Sequence, residues 1–93
     1  AIEQLQQALR MNDSAEAHYN LGSVLVQEGR AQDAIGHYQQ AVRLNPENAI
    51  VWYNLGVAYA EMGRRDQVME VYRKLKGLDA AKAERFFQKV VLP

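Results

Sequence analysis

The sequence repeats itself at an interval of 34 residues, which restricts the fold to architectures built from one recurring unit. Asn-Leu-Gly occurs at residues 20–22 and again at 54–56, and Gly-Arg occurs at 29–30 and again at 63–64. Self-similarity at this interval is typical of solenoids, in which each unit buries its apolar face against its neighbours. We therefore expect stacked copies of one supersecondary motif.

Each unit contains two segments in which apolar residues recur at helical spacing. The first segment ends at a glycine, Gly29 or Gly63, and the second segment of the first unit ends at Asn45-Pro46. Glycine commonly terminates a helix, and proline prevents its continuation. Ser14 and Asp79 are expected N-caps. Together these signals predict helices over residues 15–28, 31–44, 48–62, 65–77 and 80–91.

Gly22 and Gly56 occupy the same position in successive units, inside the first helix. Glycine at such a position costs about 1 kcal/mol relative to alanine. Its occurrence in both units indicates that a neighbouring helix approaches too closely for a side chain to fit. The small residues Ala34 and Ala41 are expected on the facing helix.

These residues resemble the tetratricopeptide repeat family, whose pattern places Trp, Leu-Gly, Tyr, Ala, an aromatic residue, Ala and Pro at fixed offsets. In the second unit these offsets are occupied by Ala49, Trp52, Leu55, Gly56, Tyr59, Val68, Tyr72 and Leu75. In the first unit they are occupied by Ala15, His18, Leu21, Gly22, Leu25, Ala34, Tyr38, Ala41 and Pro46. The sequence departs from the family pattern at five offsets: His18 replaces Trp, Leu25 replaces Tyr, Val68 and Leu75 replace the two alanines, and Ala80 replaces Pro.

The resemblance covers the whole chain and implies an all-α fold, a superhelical solenoid of antiparallel helix hairpins with about six helices. Residues 1–93 then form one domain. Residues 1–12 are the second helix of an incomplete repeat, 15–47 and 48–79 are two full repeats, and 80–93 are a C-terminal capping helix.

Composition and motifs argue against catalysis and against several classes of ligand. Lys and Arg total 11 and Asp and Glu total 11, whereas nucleic-acid-binding domains are usually basic. The basic residues between Arg64 and Lys89 are interrupted by acidic ones and are expected to form a solvated surface. No apolar run approaches the ~18 residues of a membrane span. We expect a cytoplasmic protein that binds neither nucleic acid nor membranes.

No arrangement of side chains in the sequence predicts an active site, a metal site or a cofactor. The chain has no cysteine, and neither His18 nor His37 has a second ligand at a metal-binding spacing. We expect His18 to be packed and His37 to be solvated. The serines lack the strand-to-helix elbow of a hydrolase. The sequence therefore predicts a protein that is not an enzyme.

By the same resemblance, the first helix of each hairpin lines a concave groove, and its inward positions carry two stripes. Amides form one stripe, and aromatic rings form the other: Asn20, Asn54 and Gln88, and Tyr19, Tyr53 and Phe87. Amides donate and accept hydrogen bonds, so a ladder of them can bind successive peptide groups, while rings add apolar contact area. With the nearby inward residues Ser23, Gln27 and Val57, the stripes predict a site that binds a peptide of a partner protein.

Two alternatives remain open for these residues and for the function. The rings could instead pack between neighbouring hairpins, with Asn as the family's common residue beside them. The other function is homo-oligomerisation through Ile2, Leu5 and Leu9, which a preceding helix would normally cover. The chain begins at Ala1 rather than Met, and we expect it to come from a longer or processed protein.

A second binding mode of the family, the carboxylate clamp for the C-termini of chaperones, is not expected. That clamp needs lysine at the fifth position of a repeat and asparagine at the ninth. The first full repeat has Tyr19 and Ser23 at these positions.

Overall fold

The computed structural model describes residues 14–91, and this range folds into five consecutive helices. The helices are α1 (Ala15–Gln27), α2 (Ala31–Leu44), α3 (Ala49–Glu61), α4 (Arg65–Leu78) and α5 (Ala80–Phe86), and α5 continues as a π-helical turn over Phe87–Val91. The all-α prediction is confirmed for this range, and the predicted helix ends agree to within one residue up to α4. The predicted helix over residues 1–12 lies outside the described residues.

Three of the helices have a side-chain N-cap, which lies at the end of the preceding linker. The Ser14 hydroxyl accepts a hydrogen bond from the Ala17 N–H at 3.1 Å, and the Asp79 carboxylate accepts one from the Lys82 N–H at 3.0 Å. Asn48 caps α3 in the same way. Each cap satisfies an N–H that has no partner within its helix. The predicted caps Ser14 and Asp79 are confirmed, and the cap at Asn48 explains why α3 begins one residue later than predicted.

Glycines with positive φ fold each helix pair into a hairpin. Gly29 has φ +78° and Gly63 has φ +73°, a conformation that side chains rarely adopt. After each glycine, the next N–H bonds back to the preceding helix: Arg30 donates to the Leu25 carbonyl at 2.8 Å, and Arg64 donates to the Tyr59 carbonyl at 3.0 Å. These bonds form a Schellman motif, which satisfies carbonyls at the end of the helix and reverses the chain.

The hairpins α1–α2 and α3–α4 stack through α2 and α3, and α5 packs against both α3 and α4. One continuous apolar core runs through this stack. Its largest fully buried side chains are Leu21, Leu55, Val71, Leu75 and Phe86. Asn54 on α3 hydrogen-bonds to Tyr19 on α1, and α5 packs against α3, so the first helices follow one another along the stack.

The close approach predicted at the two helical glycines is confirmed, with different neighbours. A Cβ atom on Gly22 would lie 2.8 Å from the ring of Tyr38. A Cβ atom on Gly56 would overlap the ring of Phe86 and lie 2.8 Å from Val71 Cγ1. Ala34 and Ala41 are fully buried on α2, the helix that faces α1, as expected, while aromatic rings occupy the space nearest to both glycines.

Candidate peptide-binding surface

The side chain of Asn54 links the first helices of the two hairpins. Its Nδ2 donates hydrogen bonds to Tyr19 Oη on α1 at 3.2 Å and to the Ile50 carbonyl on α3 at 3.1 Å. Because a carbonyl oxygen can only accept, the amide orientation is fixed. Both amide hydrogens are used in these bonds. The Oδ1 atom is therefore the group with which Asn54 can bind a ligand N–H.

The other two amides of the predicted ladder have different surroundings. Asn20 lines a surface cleft of about 410 Å³ with Tyr19 and Glu16. Gln88 Nε2 donates to Glu84 Oε1 at 3.2 Å, one turn earlier on the last helix. The structure therefore links Asn54 to Tyr19 across the hairpins, whereas Gln88 is engaged by its own helix. That these amides bind a peptide stays a prediction.

Each ring of the predicted aromatic stripe packs against another ring of the protein. The centroid of Tyr19 is 5.9 Å from Tyr38, that of Tyr53 is 5.7 Å from Phe86 in an edge-on arrangement, and that of Phe87 is 5.0 Å from Tyr72. All three rings are half-buried. Tyr53 and Phe87 meet rings of a neighbouring unit, as the alternative of packing between hairpins expects, whereas Tyr19 meets Tyr38 within its own hairpin. The remaining exposed area of the three rings is what a ligand could contact.

Two of the remaining predicted site residues take part in the packing of the hairpins. Ser23 Oγ is 3.1 Å from Tyr38 Oη, a hydrogen bond between α1 and α2. Burial raises the pKa of Tyr38, and the bond from Ser23 opposes that rise. Val57 packs against the core, and Gln27, the last residue of α1, is exposed. Of these three side chains, Gln27 is the most accessible to a ligand.

The two histidines, 19 residues apart in the chain, form a pair between α1 and α2. Their Nδ1 atoms are 3.2 Å apart, and the His18 ring is buried, with 8% of its surface exposed. The expectation that His37 is solvated was wrong, because the hairpin brings it against His18 and leaves it half-buried. Burial lowers the pKa of His37, His18 lowers it further, and Asp33 opposes the shift.

A cleft between α3 and α5 was not predicted from the sequence. Lys82 and Arg85 line it together with Ile50, Tyr53 and Asn54. The three-residue spacing of the two cations on one helix was the available signal, since residues so spaced share a face. This spacing alone indicates no site, because the sequence does not place α5 beside Ile50 and Asn54.

Three further observations bear on the predicted functions. Ile2, Leu5 and Leu9, the predicted self-association residues, lie outside the described residues. Across residues 14–91, the His, Asp and Glu side chains form no group of three or more that could hold a metal ion. In the same range, no helix combines the length and apolar character needed to cross a bilayer.

Comparison with known families agrees with this geometry. A family model described as "TPR repeat" matches residues 22–63, and a second, "Tetratricopeptide repeat", matches residues 49–82. The chain belongs to the tetratricopeptide repeat family. Proteins of this family generally bind other proteins and typically act as non-catalytic scaffolds. Together the two matches run from the middle of α1 to the start of α5.

Individual relatives share the repeat but are much longer. "Superkiller protein 3" of Schizosaccharomyces pombe is 32% identical over 62 residues, which is 67% of this chain and 4% of the relative. The "Probable UDP-N-acetylglucosamine--peptide N-acetylglucosaminyltransferase SPINDLY" of Arabidopsis thaliana is 38% identical over 79 residues, 83% of this chain and 9% of the relative. The crystal structure of MamA superposes with a TM-score of 0.81 at 29% identity, covering 97% of this chain and 64% of MamA.

Proposed function

We propose that this tetratricopeptide repeat domain is a non-catalytic scaffold that binds a peptide segment of a partner protein along α1, α3 and α5. The observation that carries the proposal is the fixed amide of Asn54, held by Tyr19 and by the Ile50 carbonyl. An amide that is already oriented loses little conformational entropy when a ligand binds. The half-buried rings of Tyr19 and Tyr53 flank it and offer apolar area.

The size of the surface sets the expected affinity. Along the chain, the predicted groove comprises two full first helices and the last helix, so few side chains can contact a peptide at once. Association must also offset lost translational and rotational freedom. We expect dissociation constants in the micromolar range, a binding free energy of about −8 kcal/mol or weaker.

The remaining expectations on partners and location belong to the same proposal. The equal numbers of basic and acidic residues favour a protein partner over nucleic acid. We propose no cofactor, no membrane contact and a cytoplasmic location. Although SPINDLY is named a transferase, the chain matches 9% of its length, and a scaffold role is the one that the amide and aromatic side chains support.

Selection from a phage-displayed library of random 12-residue peptides tests this function. The bait is the wild-type domain beside Asn54→Ala and a matched control, Gln39→Ala, after each is shown to be folded by circular dichroism. Gln39 on α2 also donates an amide hydrogen bond to a tyrosine hydroxyl, that of Tyr59 at 2.8 Å, but it lies outside the predicted groove. The two variants therefore lose a similar bond on different surfaces.

We expect the wild-type domain and Gln39→Ala to select the same peptides and Asn54→Ala to lose them. Losing one hydrogen bond to a ligand should weaken binding by about 1 kcal/mol, or roughly fivefold. Peptides that bind Asn54→Ala as well as wild type would contradict the proposal, as would a wild-type selection without enrichment.

The alternative function, homo-oligomerisation through Ile2, Leu5 and Leu9, stays a separate prediction. Its test is the molar mass measured by light scattering over a range of protein concentrations. A mass that rises with concentration would support it, and a monomer at every concentration would contradict it.

A further inference from the structure

The cleft between α3 and α5 brings two cations beside the fixed amide of the proposed peptide site. Its volume is about 250 Å³, and its lining consists of Ile50, Tyr53, Asn54, Lys82 and Arg85. Lys82 is half-buried, with its Nζ atom 6.0 Å from the centroid of the Tyr53 ring. Arg85 follows one turn later on α5 and is exposed.

Neither cation is neutralised by a carboxylate within residues 14–91. The ion pair found in that range joins Arg30 to Asp33, on α2 and the loop before it. Of the acidic residues near these cations in sequence, Asp79 accepts the Lys82 backbone N–H as a helix cap, and Glu84 accepts a hydrogen bond from Gln88. The cleft therefore presents two positive charges next to the ring of Tyr53, and these charges attract an anion.

The other two groups in the cleft define what should accompany the anion. Ile50 exposes 52% of its surface, a large apolar area beside the charges. Asn54 keeps Oδ1 as an acceptor for a backbone N–H. A suitable ligand therefore offers three groups: a carboxylate to the cations, a backbone N–H to Asn54 and an apolar side chain to Ile50. A peptide in which an acidic residue lies close to an apolar one contains all three.

We infer that this cleft gives the proposed peptide site a preference for an internal acidic side chain next to an apolar residue; the inference rests on the proposed function. Lys and Arg form short charge-assisted bonds with carboxylates, which are stronger than bonds between neutral groups. These two residues lie at other repeat positions than the fifth and ninth, which the family's carboxylate clamp uses. We place an internal acidic side chain over these two cations, and peptides without a free C-terminus distinguish it from a chain terminus.

The cleft beside α1, which Asn20 and Glu16 line, sets the orientation of the bound peptide along the groove. Its lining carries the carboxylate of Glu16 and the amides of Asn20, Asn45 and Asn48, with no Lys or Arg. A peptide carboxylate would be repelled there and attracted at α5. The acidic residue of the ligand should thus lie over Lys82 and Arg85, and neutral polar residues should lie over α1.

Peptide selection with charge variants tests this preference. Random 12-residue peptides are displayed on phage as N-terminal fusions, so that no free C-terminus is presented. They are selected against three baits: wild type, Lys82→Gln/Arg85→Gln and Arg73→Gln/Lys89→Gln. The last variant also loses one lysine and one arginine, both exposed and outside the cleft. It therefore controls for net charge. We expect enrichment of Asp or Glu on wild type and on the control, and its loss on Lys82→Gln/Arg85→Gln.

A selected peptide, made with an amidated C-terminus and a fluorescent label, supplies the quantitative test by anisotropy. Changing its acidic residue to the corresponding amide should raise the Kd for wild type by about tenfold and for Lys82→Gln/Arg85→Gln by less than about twofold. Equal changes in both proteins would overturn the inference. So would an amide-substituted peptide that regains full affinity through a free C-terminal carboxylate.

The two proposals fail in different ways in these experiments. Two results overturn the acidic preference but not the proposed peptide site. In the first, the selected peptides depend on Asn54 but show no enrichment of Asp or Glu. In the second, they show the same enrichment on Lys82→Gln/Arg85→Gln. Peptides that bind Asn54→Ala as well as wild type overturn the proposed function and, with it, this inference.

Discussion

Replacing Gly56 by alanine tests how closely α5 approaches α3. The added Cβ atom would overlap the ring of Phe86 and lie 2.8 Å from Val71 Cγ1. Phe86 is fully buried, at 0% exposure, so its ring has little room to move aside. Overpacking of this kind costs about 1–3 kcal/mol. Alanine gains about 1 kcal/mol in helix propensity, which leaves a net change between zero and about 2 kcal/mol of destabilisation.

Gly36→Ala is the matched control. Gly36 lies inside α2, and a Cβ atom there would meet nothing within 4 Å. This variant should gain the full propensity term of about 1 kcal/mol. The difference in free energy of unfolding between the two variants should thus equal the overpacking cost, about 1–3 kcal/mol. In a domain of this size, 1 kcal/mol corresponds to a shift in Tm of about 4–8 °C.

Urea unfolding followed by far-UV circular dichroism measures both free energies. The double variant Gly56→Ala/Phe86→Leu should be less destabilised than the sum of the two single changes, because the smaller side chain relieves the overlap. If Gly56→Ala stabilises the domain as much as Gly36→Ala does, the argument from close approach is refuted. Leucine at residue 56 adds much more volume and should prevent folding.

Three further predictions concern single side chains. Burial lowers the pKa of His37 below 6.5, so near and below that pH the unfolded chain binds more protons than the folded one, and stability should fall as the pH drops. His37→Gln should reduce this pH dependence of the urea midpoint. An unchanged dependence would contradict this role of His37. Trp52→Phe loses the 2.8 Å hydrogen bond from Nε1 to the Pro46 carbonyl and should cost about 0.5–1.5 kcal/mol in urea unfolding, whereas no loss would show the bond to be unimportant. Asn48→Ala should cost about 1 kcal/mol in thermal unfolding as a lost N-cap, and unchanged stability would speak against the cap.

Features that depend on short stretches of chain could be predicted from the sequence. Gly29 and Gly63 adopt positive φ just after the first helix of each hairpin, and Ser14 and Asp79 cap α1 and α5, as expected. These structures depend on the bonding and steric limits of a few consecutive residues. The family resemblance then supplied the stacking of the hairpins, which local patterns do not encode.

Contacts between helices could be predicted only in part. Phe87 shares a 34-residue spacing with Tyr53, yet its aromatic neighbour is Tyr72, while the preceding Phe86 packs against Gly56. The last helix becomes π-helical at Phe87, and its wider turn changes the direction of successive side chains. The spacing that holds between α1 and α3 therefore does not extend to this end of the chain.

The histidine pair and the basic cleft escaped prediction for a related reason. His18 and His37 meet because α1 and α2 form a hairpin, and the two residues show no motif along the chain. Lys82 and Arg85 become a site only when α5 docks beside Ile50 on α3. Neither arrangement can be derived without the relative positions of two helices.

The most direct test of binding along α1, α3 and α5 is a titration of the ¹⁵N-labelled domain with a selected peptide, followed by ¹H–¹⁵N NMR. The side-chain amide of Asn54 and the backbone amides of Tyr19 and Tyr53 should show the largest shift changes. Gln39 on α2 and Arg73 on α4 should show little change. Largest changes on α2 and α4, with Asn54 unaffected, would contradict binding along the first helices.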